Sequence, residues 1–471
     1  MRTGLHTTAT GFFRLAWALV LSPFLMAALP SQADSLLEIY ELALQNDAQL
    51  EVDQFAYKAG LENRTLGRSG LLPQVDASFN YTDSETDRVD NIQLESGSGT
   101  FVQETQNFQI NLSQPLFDMA AWHEYRRGVT ESKLAEVQFG ADQQALIVRV
   151  AEAYFNVLRA ADNLQTAIGE AAALKEQLEQ TRQRYQVGLT AITEVHEAQA
   201  VYDGATATVL QERGNLDIAY EALEVLTSRS HDTIAPLAKN FPVVNPTPAQ
   251  RHEWVEFALQ NNYDLKVAQL SARSADQTAK AAKSQHLPTI TGTVSYRETY
   301  VEGVVIAGQA FPNDTEDENL TFGIRVDVPL FTGGQVSGQR RQAAAQHLQA
   351  KSEVNRTQRS VIQSTRSLHL SVETGVAQVK ARRQAIVSSQ SALEATQSGY
   401  DVGTRNLVEV LQAQQAVYQA ERDYHEALYN YIIDTFELRQ AAGMLTPADV
   451  QQINASLQVN RELGRRDFDQ R

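Results

Sequence analysis

The chain repeats itself, and this limits its fold more than any other feature. Glu41-Leu42-Ala43-Leu44-Gln45-Asn46 returns as Glu256-Phe257-Ala258-Leu259-Gln260-Asn261, 215 positions later. Leu72-Pro73 returns as Leu287-Pro288, and Tyr185-Gln186-Val187-Gly188 returns as Tyr400-Asp401-Val402-Gly403, at the same offset of 215. Pro115-Leu116-Phe117 returns as Pro329-Leu330-Phe331 at 214. Four matches in one register, spread over most of the 471 residues, predict a duplicated domain; the period is too long for a solenoid unit. The bridge between the copies carries Pro236, Pro242, Pro246 and Pro248 and is expected to be irregular.

The N-terminus is a segment apart. Arg2 and Arg14 are the only charged residues before Asp34, an apolar run spans Phe12 to Leu29, and Ser31-Gln32-Ala33 offers small residues for a cleavage site. This pattern predicts a secretory signal peptide, cut after Ala33, so the chain is exported. Residues 1–33 are therefore read as signal peptide, 34–229 as the first repeat and 230–250 as linker. Residues 251–443 form the second repeat and 444–471 a C-terminal tail.

Each copy passes through the same textures. First comes an Ala/Leu/Gln/Glu-rich helix, about 35–70 and 251–286, stopped by Leu-Pro because proline disfavours α geometry in the residue before it. Alternation of period two follows. In the first copy Val75, Ala77, Phe79 and Tyr81 alternate with polar residues, and so do Phe108, Ile110 and Leu112. In the second copy Ile290, Val294 and Tyr296 do the same, as do Leu320, Phe322, Ile324, Val326 and Val328. These strands admit two readings: a soluble sheet with one buried face, or the wall of a transmembrane β-barrel with its apolar face to lipid. Four strands cannot close a barrel and open edges cannot sit in lipid, so the second reading requires several chains.

The remainder reads as long helix. Neither 118–186 nor 332–401 contains proline, and each span of about 70 residues would be roughly 100 Å long. Each ends at Tyr-x-Val-Gly, where Gly188 and Gly403 suit the residue that terminates a helix. A second helix follows each, about 191–228 and 406–442, with Leu407, Val410, Gln414, Val417 and Glu421 tracing a coiled-coil seam. The initial and final helices of a copy together match its long helix, so they could stack end to end beside it as a strut. Alanine and glutamine dominate these helices, and no large apolar core is expected.

With its duplicated plan, its Leu-Pro strand starts and its Pro-Leu-Phe passages from strand to helix, the chain resembles the TolC family of outer-membrane efflux channels. The tip sequences, 185–195 and 400–410, are the most specific part of that resemblance. It implies a mainly α fold with β, duplicated strand-strand-long-helix units that form a trimeric twelve-stranded transmembrane barrel on a coiled-coil helical barrel. It also implies a homotrimer in outer-membrane lipid, joined to a periplasmic adaptor and an inner-membrane pump, which conducts drugs, toxins or other substrates passively. At the periplasmic gate, Tyr400 and Arg405 would face Thr193 and Glu194. Glu409 and Gln412 stand where the family's entrance rings lie, which leaves one anionic ring instead of two. Gly188 and Gly403 would mark the adaptor-contacting tips. Simpler roles remain open: Asn406 and Glu409 also form a helix-capping pattern, and Tyr400 could pack in the coil seam. Arg405 at a helix start opposes the macrodipole, which calls for a carboxylate partner such as Glu194.

Composition removes most other functions. A formal charge of −17 argues against nucleic acid as a partner, and zero cysteine excludes disulfides and thiolate chemistry. No histidine–carboxylate set has metal-site spacing, and Gly333 and Gly338 lack the Lys-Ser/Thr of a phosphate loop. Neither cofactor nor enzymatic activity is expected. The alternative function is a soluble periplasmic coiled-coil adaptor or structural protein.

Overall fold

The computed structural model describes residues 33–88, 99–303, 305–306, 309–310, 314–458 and 463–464. The expected signal peptide, apart from Ala33 at its cleavage site, lies outside the described residues.

The chain opens with three short helices, α1 (Leu36–Asn46), α2 (Ala48–Leu61) and α3 (Asn63–Ser69). Two long antiparallel strands follow, β1 (Gln74–Arg88) and β2 (Gly99–Phe117), then the 68-residue α4 (Met119–Gln186) and α5 (Ile192–Thr227). A two-residue strand, β3 (Thr233–Ile234), lies in the bridge. The same order then returns with α6 (Arg251–Asn261), α7 (Tyr263–Ser284) and β4 (Thr289–Val301). The short strands β5 (Val305–Ile306) and β6 (Gln309–Ala310) precede β7 (Thr315–Asp327). The 67-residue α8 (Gln335–Asp401), α9 (Leu407–Ala441), α10 (Pro447–Asn454) and β8 (Leu463–Gly464) complete the chain.

The helical spans keep close to the expected limits. At 1.5 Å per residue α4 and α8 are each about 100 Å long. Asp118 starts α4 by accepting from the Ala121 amide at 3.0 Å. The initial helices differ from the reading as unbroken rods. In the first copy Asp47 leaves helical geometry and caps α2, accepting from the Leu50 amide at 2.9 Å. At the matching position of the second copy Asn262 caps α7, accepting from the Leu265 amide at 2.9 Å. An Asn or Asp side chain competes with the backbone for these bonds and so favours a cap over helix interior.

The joints between stacked helices fall at these breaks. The Asn262 side-chain amide donates to Ala441 O at 2.9 Å, at the end of α9. There Gly443 adopts φ +67°, and Ser228, which follows α5, adopts φ +53°. Both are left-handed caps, at positions 215 apart.

The expectation of no large core fails. One continuous cluster, halfway along the struts, buries Tyr154, Phe155 and Leu158 of α4, Leu223 of α5, Trp254 of α6 and Tyr429, Tyr431 and Phe436 of α9. The buried tyrosines spend their hydroxyls on fixed partners: Tyr154 donates to Ala235 O at 2.6 Å and Tyr431 to Val244 O at 2.8 Å. These bonds tie the bridge onto the struts. The C-terminal segment joins the same cluster through Leu445, Val450 and Leu457, and β8 pairs with β3. Strands of two residues are too short for alternation to reveal them.

At one end of the struts the long strands run antiparallel in the order β1-β2-β4-β7. Apolar residues line up in rows across it: Val75, Leu112, Val294 and Phe322 in one, Ala77, Ile110, Tyr296 and Leu320 in the next. The opposite face carries Asp76, Asn111, Ser295 and Thr321, then Ser78, Gln109, Arg297 and Asn319. Among the described residues nothing covers the apolar face; Phe322 is 72% and Ile324 74% exposed. From Leu320 to Val328 the band runs about 27 Å along the strand, the scale of a bilayer's hydrocarbon layer.

Candidate functional site at the helix tips

The far ends of the long helices form two hairpin tips. α4 turns into α5 through Gly188 at φ +75°, and α8 into α9 through Gly403 at φ +78°. The backbone closes both turns alike. Gly188 N donates to Tyr185 O at 2.9 Å and Leu189 N to Arg184 O at 2.8 Å; Gly403 N and Thr404 N repeat the pattern on Tyr400 and Gly399. No atom lies within 4 Å of a Cβ built on either glycine, so dihedral angle, not crowding, requires glycine here. Both glycines therefore stand in open space at the tips.

Tyr400 connects the two hairpins at their tips. It is only 7% exposed and packs with Leu174, Leu178, Ala198, Leu407, Val410 and Leu411. Its hydroxyl donates to Glu194 Oε2 at 3.4 Å, and the Arg184 guanidinium lies over its ring, 4.6 Å from the centroid. Burial pushes the phenol pKa up, against an opposing pull from Arg184, and Glu194 adds to the rise. The hydroxyl therefore stays a proton donor through the physiological range.

Arg405 takes a different partner from the one expected. Within the chain its Nη1 pairs with Glu409 Oε2 at 2.6 Å, not with Glu194. Glu409 is one turn away, and its other oxygen accepts from the Asn406 side-chain amide at 2.9 Å. Asn406 in turn caps α9, accepting from the Glu409 amide at 3.0 Å. Arg405, Asn406 and Glu409 thus form one closed set at the α9 start, which offsets the unfavourable position of the arginine in the helix dipole. Thr193 is exposed beside Glu194, and Gln412 is exposed three residues beyond Glu409.

Two residues that sequence reasoning passed over complete the tip. Arg184 stacks on Tyr400, and Gly399 provides the bed for Arg405, since a Cβ there would stand 2.7 Å from Arg405 Cγ. Both occupy the same repeat position, 215 apart, one residue before the conspicuous tyrosine. The exchange of arginine for glycine at that position was the available signal. Among the described residues no group of three or more His, Cys, Asp or Glu could hold a metal ion, and no helix is long and apolar enough to cross a membrane.

A sequence profile for the family described as Outer membrane efflux protein matches residues 39–229 and again 254–444. The chain belongs to this family. Outer membrane protein TolC of Vibrio cholerae is 35% identical over 432 residues, covering 91% of this chain and 95% of that protein. Proteases secretion protein PrtF of Dickeya chrysanthemi is 30% identical, covering 91% and 92%. The fold is also that of solved outer-membrane channels. VceC of Vibrio cholerae matches with a TM-score of 0.72 at 19% identity, covering 87% of this chain and 96% of that one. The Campylobacter jejuni channel CmeC matches with 0.72 at 18%, covering 90% of each. Family membership puts the chain in the outer membrane as an efflux protein, and the reading as a soluble periplasmic coiled-coil protein falls.

Proposed function

We propose that three copies of the chain assemble into the exit duct of a tripartite export system. The observation that carries this reading is the four-stranded sheet, with one apolar face left bare and β1 and β7 each paired on one side only among the described residues. In lipid every backbone polar group needs a partner, so the two edges have to meet those of other copies. Three chains give twelve strands, apolar side chains outward and the Asn/Gln/Ser/Thr face lining a wet lumen.

Below the barrel, twelve long helices would continue the lumen across the periplasm as a tunnel. The repeat units are 34–229 and 251–443, with 230–250 tying them at mid-height and the described residues 444–458 of the tail reinforcing the same level. At the tips, the Tyr400–Glu194 contact would hold the hairpins of one chain together. Arg405 would reach Thr193 and Glu194 of a neighbouring copy once its local pair with Glu409 is released. Glu409 and Gln412 would ring the entrance, and the open tips at Gly188 and Gly403 would contact a periplasmic adaptor that connects the duct to an inner-membrane pump. Opening is an iris motion of the tips, and the pump supplies the energy.

Relatives named for protease secretion, PrtF and the alkaline protease secretion protein AprF of Pseudomonas aeruginosa, extend the cargo to whole proteins. A lumen lined mainly by Asn, Gln, Ser and Thr, with single charges of both signs such as Asp76 and Arg297 among them, fits cargo that is passed along and not bound. Purified from outer membranes and placed in planar bilayers, the protein should form a low-conductance pore; a preparation that never conducts would overturn the reading.

A further inference from the structure

We propose that Arg184 is a positioning residue of the tip closure: stacked on the Tyr400 ring, it holds that side chain where the hydroxyl reaches Glu194. The first hairpin is then a socket and the second hairpin the plug. This inference rests on the gate reading above.

The repeat itself isolates the effect. Each copy has the same tyrosine (Tyr185, Tyr400) and the same glutamate (Glu194, Glu409), but the arginine has moved between them. In the second copy it is Arg405, after the turn, and position 399 is glycine, which leaves room for the arginine stem. In the first copy it is Arg184, before the turn, and Thr190 stands where Arg405 would be. Arg405 consequently neutralises the glutamate of its own copy at 2.6 Å. Glu194 has no such neighbour in its own turn and takes its hydrogen bond from Tyr400 of the other copy.

The two tyrosines record the consequence. Tyr400 is 7% exposed, with a guanidinium on its face and a carboxylate on its hydroxyl. Tyr185, whose repeat neighbour is Gly399's counterpart Arg184, is 44% exposed. The stacked cation favours the ring face, where the π charge is negative, and so fixes the ring plane as well as its position. A long contact of 3.4 Å to Glu194 depends on that aim. The turn does not depend on the Arg184 side chain, because only its carbonyl closes the turn, to Leu189 N at 2.8 Å.

The test is single-channel recording of the full-length trimer with Arg184→Gln in three backgrounds. In the otherwise unchanged protein Arg184→Gln should raise the open fraction about fivefold, the usual scale for one lost cation–π contact, and with Tyr400→Phe, which keeps the ring but has no hydroxyl to aim, it should add little. With Tyr400→Leu, which removes the ring, it should add nothing. Arg184→Lys, which retains a cation for the ring, should stay near the unsubstituted protein. An Arg184→Gln effect that is absent, or that persists undiminished with Tyr400→Phe or with Tyr400→Leu, overturns the proposal. If Tyr400→Phe and Glu194→Gln open the pore while Arg184→Gln does not, this inference fails alone. If none of the three opens it, the gate reading fails and takes this inference with it.

Discussion

The Tyr400 hydroxyl donates to a Glu194 carboxylate oxygen at 3.4 Å and so joins, within one chain, two helix hairpins whose tip motifs lie 215 residues apart. Removing the hydroxyl with Tyr400→Phe leaves the packing and the Arg184 stack in place. At this length the bond contributes about 1 kcal/mol per chain. The expected result is a higher mean conductance in planar bilayers with a thermal midpoint lowered by no more than about 2 °C in a chain of this size, and Glu194→Gln should act in the same direction.

Entrance selectivity turns on what Glu409 already holds. One of its oxygens carries Arg405 and the other Asn406, so its charge is largely spent locally. Gln412, exposed one turn further, has no such commitment to a cation among its described bonds. Gln412→Glu should therefore shift the reversal potential in a salt gradient toward cation preference by more than Glu409→Gln shifts it away. The reverse ranking would contradict the assignment of Glu409 to its own cap.

The joint behind α9 is tight. Gly443 has φ +67°, and a Cβ there would lie 2.4 Å from the backbone carbon of Asn261. Gly443→Ala must strain the dihedral and push two helix ends apart, at a cost of about 2–4 kcal/mol. Thermal unfolding in detergent should show this as a lowered midpoint. Ser228→Gly, at the matching cap of the first copy, should leave the midpoint unchanged or raise it, since serine already occupies φ +53° there.

Stability should fall with rising pH at one half-buried carboxylate. Burial raises the Glu437 pKa, and Asp434 and Glu152 push it further. A carboxyl whose folded pKa lies above its unfolded value favours the fold while protonated in both states, and that advantage is lost as pH climbs through the folded pKa. Glu437→Gln should therefore gain stability over the unsubstituted protein at pH 7, and the gain should vanish below pH 4, as followed by urea midpoints at several pH values.

Much of this architecture was legible because the repeat samples each local rule twice. Two proline-free spans ending in Tyr-x-Val-Gly set the long helices, and alternation set the four long strands. The breaks at Asp47 and Asn262 were hidden inside Ala/Leu-rich texture, although both lie in Asn/Asp pairs that favour caps. The mid-height core was hidden for another reason. Tyr154, Phe155, Tyr429 and Tyr431 are each a single aromatic step in a helix seam, and only their meeting across chain separations above 200 residues makes a core. At the tips, motif order gave Tyr400, Glu194, Arg405 and Glu409, but partner choice depended on distance. Arg405 was one helical turn from Glu409, and Arg184 was within reach of a ring 216 residues away.

The central claim is that the β1 edge of one copy closes against the β7 edge of the next until three chains seal the barrel. The absence of native cysteine makes this directly measurable. Asp76→Cys, Ser78→Cys, Asn80→Cys, Thr82→Cys or Ser84→Cys, which share one face of β1, are each combined with Thr321→Cys on β7 to step the register across the stagger that barrel closure imposes; intact cells are oxidised and their outer membranes run on a denaturing gel. The account predicts that at least one pair yields covalent dimers and trimers and nothing larger. Monomers from every pair, or a ladder that continues past three chains, would contradict it.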